Sequence, residues 1–85
     1  MPNPKKVGKA ILDVVENQIR SLDPPETKET IDRLISEGVA EEEARRLIGC
    51  VVASEIFGIL KHKQPFDQER YTLALSRLPE LPWQD

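Results

Sequence analysis

Two polar residues, Glu55 and Gln18, stand among apolar neighbours in this sequence. A buried carboxylate is costly unless it is paired or protonated, and one with a shifted pKa is a candidate general base. The same residue can instead serve a hydrogen bond or ion pair that fixes the order of the helices. No nucleophile, glycine-rich loop or metal set accompanies Glu55, so the sequence favours the structural role. We expect Gln18 and Glu55 to form a buried polar pair.

The sequence lacks the partner residues that a metal site or a reactive cysteine would need. His62 is the only histidine, and Glu55 lies seven residues before it, so no Glu-x-x-His pair shares a helical turn. We expect His62 to be a solvated residue in a basic stretch. Cys50 lies among apolar residues with no second histidine to act as its base, and we expect it to behave as a small core hydrophobe. No catalytic residue, metal or cofactor is predicted.

The helix predicted over residues about 41–61 positions Glu55 and Cys50. One apolar stripe with i, i+3, i+4 spacing comprises Ala44, Leu47, Ile48, Val51, Val52 and Ile59, and a second, nearly opposite, comprises Cys50, Ala53, Ile56, Phe57 and Leu60. A helix that is apolar all round is normally surrounded by other elements. The sequence therefore predicts that this helix is the centre of the fold.

Three further helices are predicted around it. The first spans about residues 5–22, with an inner face of Val7, Ile11, Val14, Val15, Ile19 and Leu22. The second is predicted to have Asp23 as its cap and Pro24 as its first residue, Ile31, Leu34 and Ile35 inward, and Gly38 as a left-handed end with Val39 packing on Leu34. The fourth is predicted to have Asp67 as its cap, Phe66 packed on Tyr71, and an inner face of Tyr71, Ala74, Leu75 and Leu78. The prediction is an all-α, compact four-helix domain over residues 1–85, with residues 79–85 as a C-terminal tail carrying Leu81 and Trp83.

Composition narrows the class of protein. The 85 residues are 39% hydrophobic and 32% charged, with a net charge of −3, which suits a soluble helical protein and opposes a nucleic-acid role. If the turn at Gly38 belonged to a DNA-binding helix-turn-helix, the N-terminal residues of its second helix would be Glu41, Glu42 and Glu43. DNA phosphates would repel these three carboxylates. One cysteine indicates a reducing compartment. Asp13 and Glu16 interrupt the first apolar run, so neither a signal peptide nor a membrane span is predicted, and we expect a cytoplasmic location.

Short motifs spread along the chain also carry a resemblance. They are Asn3-Pro4, Val15-Glu16-Asn17-Gln18, Asp23-Pro24-Pro25, Arg33-Leu34, Glu43-Ala44, Ile48-Gly49-Cys50, Glu55-Ile56 and Pro65-x-Asp67-x-x-x-Tyr71. In these the chain resembles an uncharacterised bacterial family of small all-helical proteins. That family carries histidines on the first helix and beside the Glu-Ala pair, where this chain has Gly8, Leu12, Arg46 and Leu47. The resemblance implies a helical fold and a bacterial source, but no established activity.

These observations favour a non-catalytic protein-interaction or adaptor module. Only three helices are available to cover both faces of the central one, so part of the second stripe should remain exposed. The candidate interaction face comprises Cys50, Ala53, Phe57 and Leu60, for an unknown protein partner or for a homodimer. The alternative is an accessory enzyme or ligand-binding domain that uses buried Glu55 with Gln18.

Overall fold

The structure, a computed structural model, describes residues 4–82, which form four α-helices and no strand. The helices are α1 (Pro4–Ser21), α2 (Pro25–Ser36), α3 (Glu41–His62) and α4 (Gln68–Arg77). The predicted all-α, four-helix fold is confirmed. Within residues 4–82, no helix combines the length and the apolar character needed to cross a membrane.

The core forms around the N-terminal half of α3. Both α2 and α3 pack against the other three helices. The core residues are Val15, Ile31, Leu34, Ala44, Leu47, Ile48, Val51, Val52, Tyr71, Leu75 and Leu78. Five of the six residues in the first predicted stripe of α3 belong to this core, and the sixth, Ile59, is half-buried.

Other elements cover the N-terminal half of α3 more fully than its C-terminal half, where part of the second apolar stripe is exposed. There the side chain of Phe57 is 59% exposed and that of Leu60 is 76% exposed. Helix lengths explain the difference, since α3 has 22 residues whereas α2 has 12 and α4 has 10. At a rise of about 1.5 Å per residue, α3 is about 33 Å long, α2 about 18 Å and α4 about 15 Å. The two shorter helices cannot cover α3 from end to end.

Helix α1 runs antiparallel to α3. Arg45 Nε donates to Glu16 Oε2 at 3.1 Å, and one turn further along α3 Gly49 approaches Ile11, which lies nearer the start of α1. A Cβ atom at Gly49 would lie 3.3 Å from Ile11 Cγ2. Gly49 therefore leaves room for the Ile11 side chain, and a Cβ atom there would require Ile11 to shift.

The start of α2 differs from the prediction by one residue. Pro24 is the N-cap and Pro25 the first helical residue, and no side chain caps this end. The predicted capping role of Asp23 is wrong, because the second of the two prolines occupies the position that needs no N–H. The end of α2 is confirmed. Gly38 has φ +95°, the N–H of Gly38 donates to Ile35 O at 3.0 Å, and that of Val39 donates to Leu34 O at 2.9 Å, which is the Schellman pattern.

Helix α4 is held at both ends. The side chain of Asp67 accepts a hydrogen bond from the backbone N–H of Arg70 at 3.1 Å, and the rings of Phe66 and Tyr71 lie 5.9 Å apart, so both predictions are confirmed. At the other end, Arg33 Nη2 of α2 donates to the carbonyls of Leu75 and Leu78, at 3.1 and 3.0 Å. The Leu75 carbonyl also accepts from the backbone N–H of Leu78 at 3.2 Å. Arg33 therefore adds a donor from another helix to the end of α4 and fastens α4 to α2.

The predicted inner faces are confirmed in part. Tyr71, Leu75 and Leu78 are buried, and Ala74 and Leu81 pack against the core. Three residues assigned to inner faces are exposed instead: Val14, Leu22 and Ile35. Val14 and Ile35 lie at the margins of their stripes, where a domain this small leaves apolar surface uncovered. Leu22 lies beyond the end of α1, with φ +58°. The predicted roles of Val7 and Trp83 lie outside the described side chains.

Candidate functional site

A buried polar cluster joins three of the helices. Gln18 Oε1 on α1 accepts hydrogen bonds from Thr27 Oγ1 on α2 at 2.8 Å and from Tyr71 Oη on α4 at 2.7 Å. Thr27 is fully buried and Tyr71 is 2% exposed. One amide oxygen therefore satisfies two buried hydroxyl groups, each of which would be costly without a partner.

The Tyr71 hydroxyl stays protonated in this environment. Burial raises the pKa of Tyr71 above its ordinary value of 10.0, and the charge of Glu55 adds to the rise, while the hydrogen bonds with Thr27 and Gln18 act in the opposite direction. Burial dominates because the phenolate would lose its hydration. Tyr71 is therefore a neutral donor at physiological pH, which matches its hydrogen bond to Gln18.

Glu55 has a different partner from the one predicted. Its carboxylate accepts from Arg70 Nη2 at 2.5 Å and from Arg70 Nε at 3.2 Å. The side chain of Glu55 is 11% exposed and that of Arg70 is 40% exposed. The predicted pair of Gln18 with Glu55 is wrong, because Gln18 is engaged by neutral hydroxyls whereas the carboxylate is met by a guanidinium. Such a bidentate, charge-assisted contact satisfies a nearly buried carboxylate far better than an amide would.

The other two candidates for chemistry lie at the surface. Cys50 is half-buried, with Arg46 Nη1 3.8 Å from its Sγ atom, so its predicted place in the core is wrong. Its neighbours Leu47 and Val51 point into the core, while Cys50 lies on the other side of the helix. His62 is exposed, as predicted. Among residues 4–82 no group of three or more His, Cys, Asp or Glu side chains is placed to hold a metal ion.

The predicted interaction face is accessible along the outer side of α3. Phe57 and Leu60 are exposed, while Cys50 and Ala53 are half-buried. The last two line a cavity of about 220 Å³ between α1 and α3. Its other lining residues are Gly8, Ile11, Leu12, Arg46 and Gly49, and apart from the Arg46 head group the walls are apolar. The helix beside this face is α1.

A second, larger cavity extends the groove toward the start of α3. It has a volume of about 790 Å³ and shares Leu12 and Arg46 with the first. Its lining also includes four acidic residues: Asp13, Glu16, Glu42 and Glu43. The α1–α3 groove is thus apolar in the middle, and at the end where α3 begins it is lined by carboxylates, two of them paired with Arg45 and Arg46. The lining of neither cavity includes Gln18, Glu55 or Tyr71.

The sequence analysis did not identify Thr27 or the hydroxyl group of Tyr71 as members of the polar cluster. It also did not identify Arg70 as the partner of Glu55. Tyr71 was assigned correctly to the core, and that assignment already implied that its hydroxyl needed a partner. Thr27 and Arg70 carried no comparable signal, because their positions depend on how α2 and α4 pack.

Comparison of the chain with protein-family models, curated proteins and solved structures finds no match. The resemblance to a bacterial family of small helical proteins stays a prediction.

Proposed function

We propose that this protein is a non-catalytic interaction module whose binding surface is the outer face of α3, formed by Cys50, Ala53, Phe57 and Leu60. The observation that carries the proposal is the exposure of Phe57 and Leu60 next to the apolar groove between α1 and α3. Apolar side chains that adjoin an apolar groove expose a continuous surface, and such patches mark sites of association.

The partners found for the polar residues support a role without catalysis. Glu55, the candidate general base, is held by Arg70, and Gln18 is held by Thr27 and Tyr71. Both therefore contribute to the packing of the helices, which leaves the outer face of α3 as the better candidate for function.

The proposal includes a location. A single free cysteine, half-exposed on the proposed binding face, suits a reducing compartment, where a thiol persists. We place the protein in the cytoplasm of a bacterium, in keeping with the family that its motifs resemble.

The test compares two variants in affinity capture from cells of the source organism. Phe57→Glu places a charge on the proposed face, and Leu73→Glu places the same charge on α4 at a leucine of similar exposure, 52% against 59%. We expect wild type and Leu73→Glu to retain the same protein partner and Phe57→Glu to lose it. Equal capture by all three proteins would contradict the proposed surface, provided that circular dichroism shows all three folded.

A further inference from the structure

The exposed face of α3 carries opposite charges at its two ends. Glu43, Cys50, Phe57 and Lys61 are separated by seven, seven and four residues, and these spacings place them on one side of a helix with 3.6 residues per turn. Glu43 lies in the first turn and Lys61 in the last. Both are exposed.

Contacts hold both charged groups on this side. The Glu43 carboxylate accepts from Arg46, which in turn approaches Cys50 Sγ, and the Lys61 ammonium lies 5.1 Å from the centre of the Phe57 ring. The hydrogen bond from Arg46 lowers the pKa of Glu43, so the carboxylate is ionised. The face therefore carries the Glu43 carboxylate, paired with Arg46, where α3 begins, apolar side chains in the middle and the Lys61 ammonium where it ends.

We propose that the partner is a second copy of this chain, with the two α3 helices paired antiparallel across a two-fold axis near Ala53. This inference rests on the proposed function, because it names the partner of the same surface. In a two-fold interface each contact occurs twice. Glu43 of one subunit then meets Lys61 of the partner subunit, and the reverse contact repeats it. A parallel pairing would instead bring the two Lys61 ammonium groups together, with no Glu43 carboxylate near them.

The size of the face sets the strength to expect. From Glu43 to Lys61 the stripe is about 27 Å long, and with α1 alongside it is roughly 20 Å wide. Each subunit would then bury on the order of 500 Å², or about 1,000 Å² in total, the lower end for specific interfaces. The dimer should therefore form at micromolar to high micromolar concentration.

The experiment is sedimentation equilibrium from about 10 to 500 μM. Wild type should approach twice the chain mass of 9.7 kDa. Glu43→Lys and Lys61→Glu should each weaken the dimer about tenfold, since each replaces two attractive contacts by two repulsive ones. The double variant Glu43→Lys/Lys61→Glu should restore the wild-type constant to within about threefold, because both charges are reversed together.

The matched control is Glu69→Lys/Arg77→Glu, which makes the same exchange in the first and last turns of α4 and should leave the dimer constant unchanged. If the double variant Glu43→Lys/Lys61→Glu does not fold, the salt dependence of the wild-type dimer constant is the test. Raising the salt from 50 to 500 mM should weaken a charge-paired dimer. A salt-independent dimer, or a folded double variant that stays as weak as the single ones, would overturn the antiparallel pairing.

A wild type that stays at 9.7 kDa up to 500 μM would overturn self-association. The proposed function would then still stand or fall separately, on whether capture of another protein depends on Phe57.

Discussion

Replacement of Gln18 by leucine tests the buried polar cluster. In wild type, Gln18 Oε1 accepts from Thr27 Oγ1 and Tyr71 Oη, at 2.8 and 2.7 Å. Leucine has a similar size but no acceptor, so both hydroxyls lose their short hydrogen bond. They lie 3.5 Å from each other, which allows a single weak bond and leaves one group without a good partner.

The expected loss of stability follows from the one hydroxyl group that is left without a good partner. A buried hydroxyl without a partner costs about 1–3 kcal/mol, and the added apolar surface recovers part of this at a half-buried position. We expect Gln18→Leu to lower the free energy of unfolding by about 2 kcal/mol. For a domain of this size the melting temperature should fall by about 8–16 °C. The loss is a large share of a total stability of about 4–13 kcal/mol.

Urea unfolding followed by circular dichroism measures this loss, and Asn17→Leu, at the exposed neighbouring position, is the control that should change stability by less than about 0.5 kcal/mol. A double-mutant cycle with Tyr71→Phe isolates the hydrogen bond, and Gln18→Leu should cost about 1 kcal/mol less in that background. A neutral Gln18→Leu, or costs that add without coupling, would refute the assigned cluster.

Three other predictions concern the ends of helices and pH. Gly38→Val should lower the free energy of unfolding, measured in urea, by about 1–2 kcal/mol or more, because φ is +95° at Gly38. An unchanged urea midpoint would contradict the Schellman ending assigned to α2. Asp67→Ala should cost about 1 kcal/mol by the same measurement while Asp67→Asn costs less, since only alanine removes the cap acceptor; equal losses would count against a capping role. Burial raises the pKa of Tyr71 above 10.0, so its contribution to stability is complete below pH 10 and declines as pH rises through the folded-state pKa. The stability gap between wild type and Tyr71→Phe should therefore narrow above pH 10, whereas a gap that stays constant to pH 11 would contradict this. Tyr71 is the only tyrosine, so tyrosinate absorbance follows its ionisation directly.

Local features of the fold could be predicted from the sequence because they depend on neighbouring residues. Gly38 ends α2 through a conformation that glycine adopts easily, and Asp67 caps α4 through a side chain that reaches its own first turn. Apolar spacing likewise identified most of the core. The predicted start of α2 is one residue too early, because either of the two consecutive prolines, Pro24 and Pro25, suits the first helical position.

The partners of Glu55 and Gln18 could not be predicted in this way. Both residues interrupt apolar stripes. This pattern indicates that their side chains are buried, but not which neighbouring helix supplies their partners. The partner of Glu55 is Arg70, fifteen residues away on another helix, and its approach depends on the angle of α4. The exposure of Phe57 and Leu60 could be predicted, because only three helices are available to cover both faces of α3.

The central claim is that the outer face of α3 meets a second copy of this chain, and amide chemical shifts recorded on dilution test it most directly. Between about 500 and 20 μM, the amide resonances of Cys50, Ala53, Phe57 and Leu60 should move together and fit one dissociation constant, while that of Leu73 on α4 stays in place. Shifts that centre on Leu73, or an α3 face that does not respond to concentration, would contradict the account.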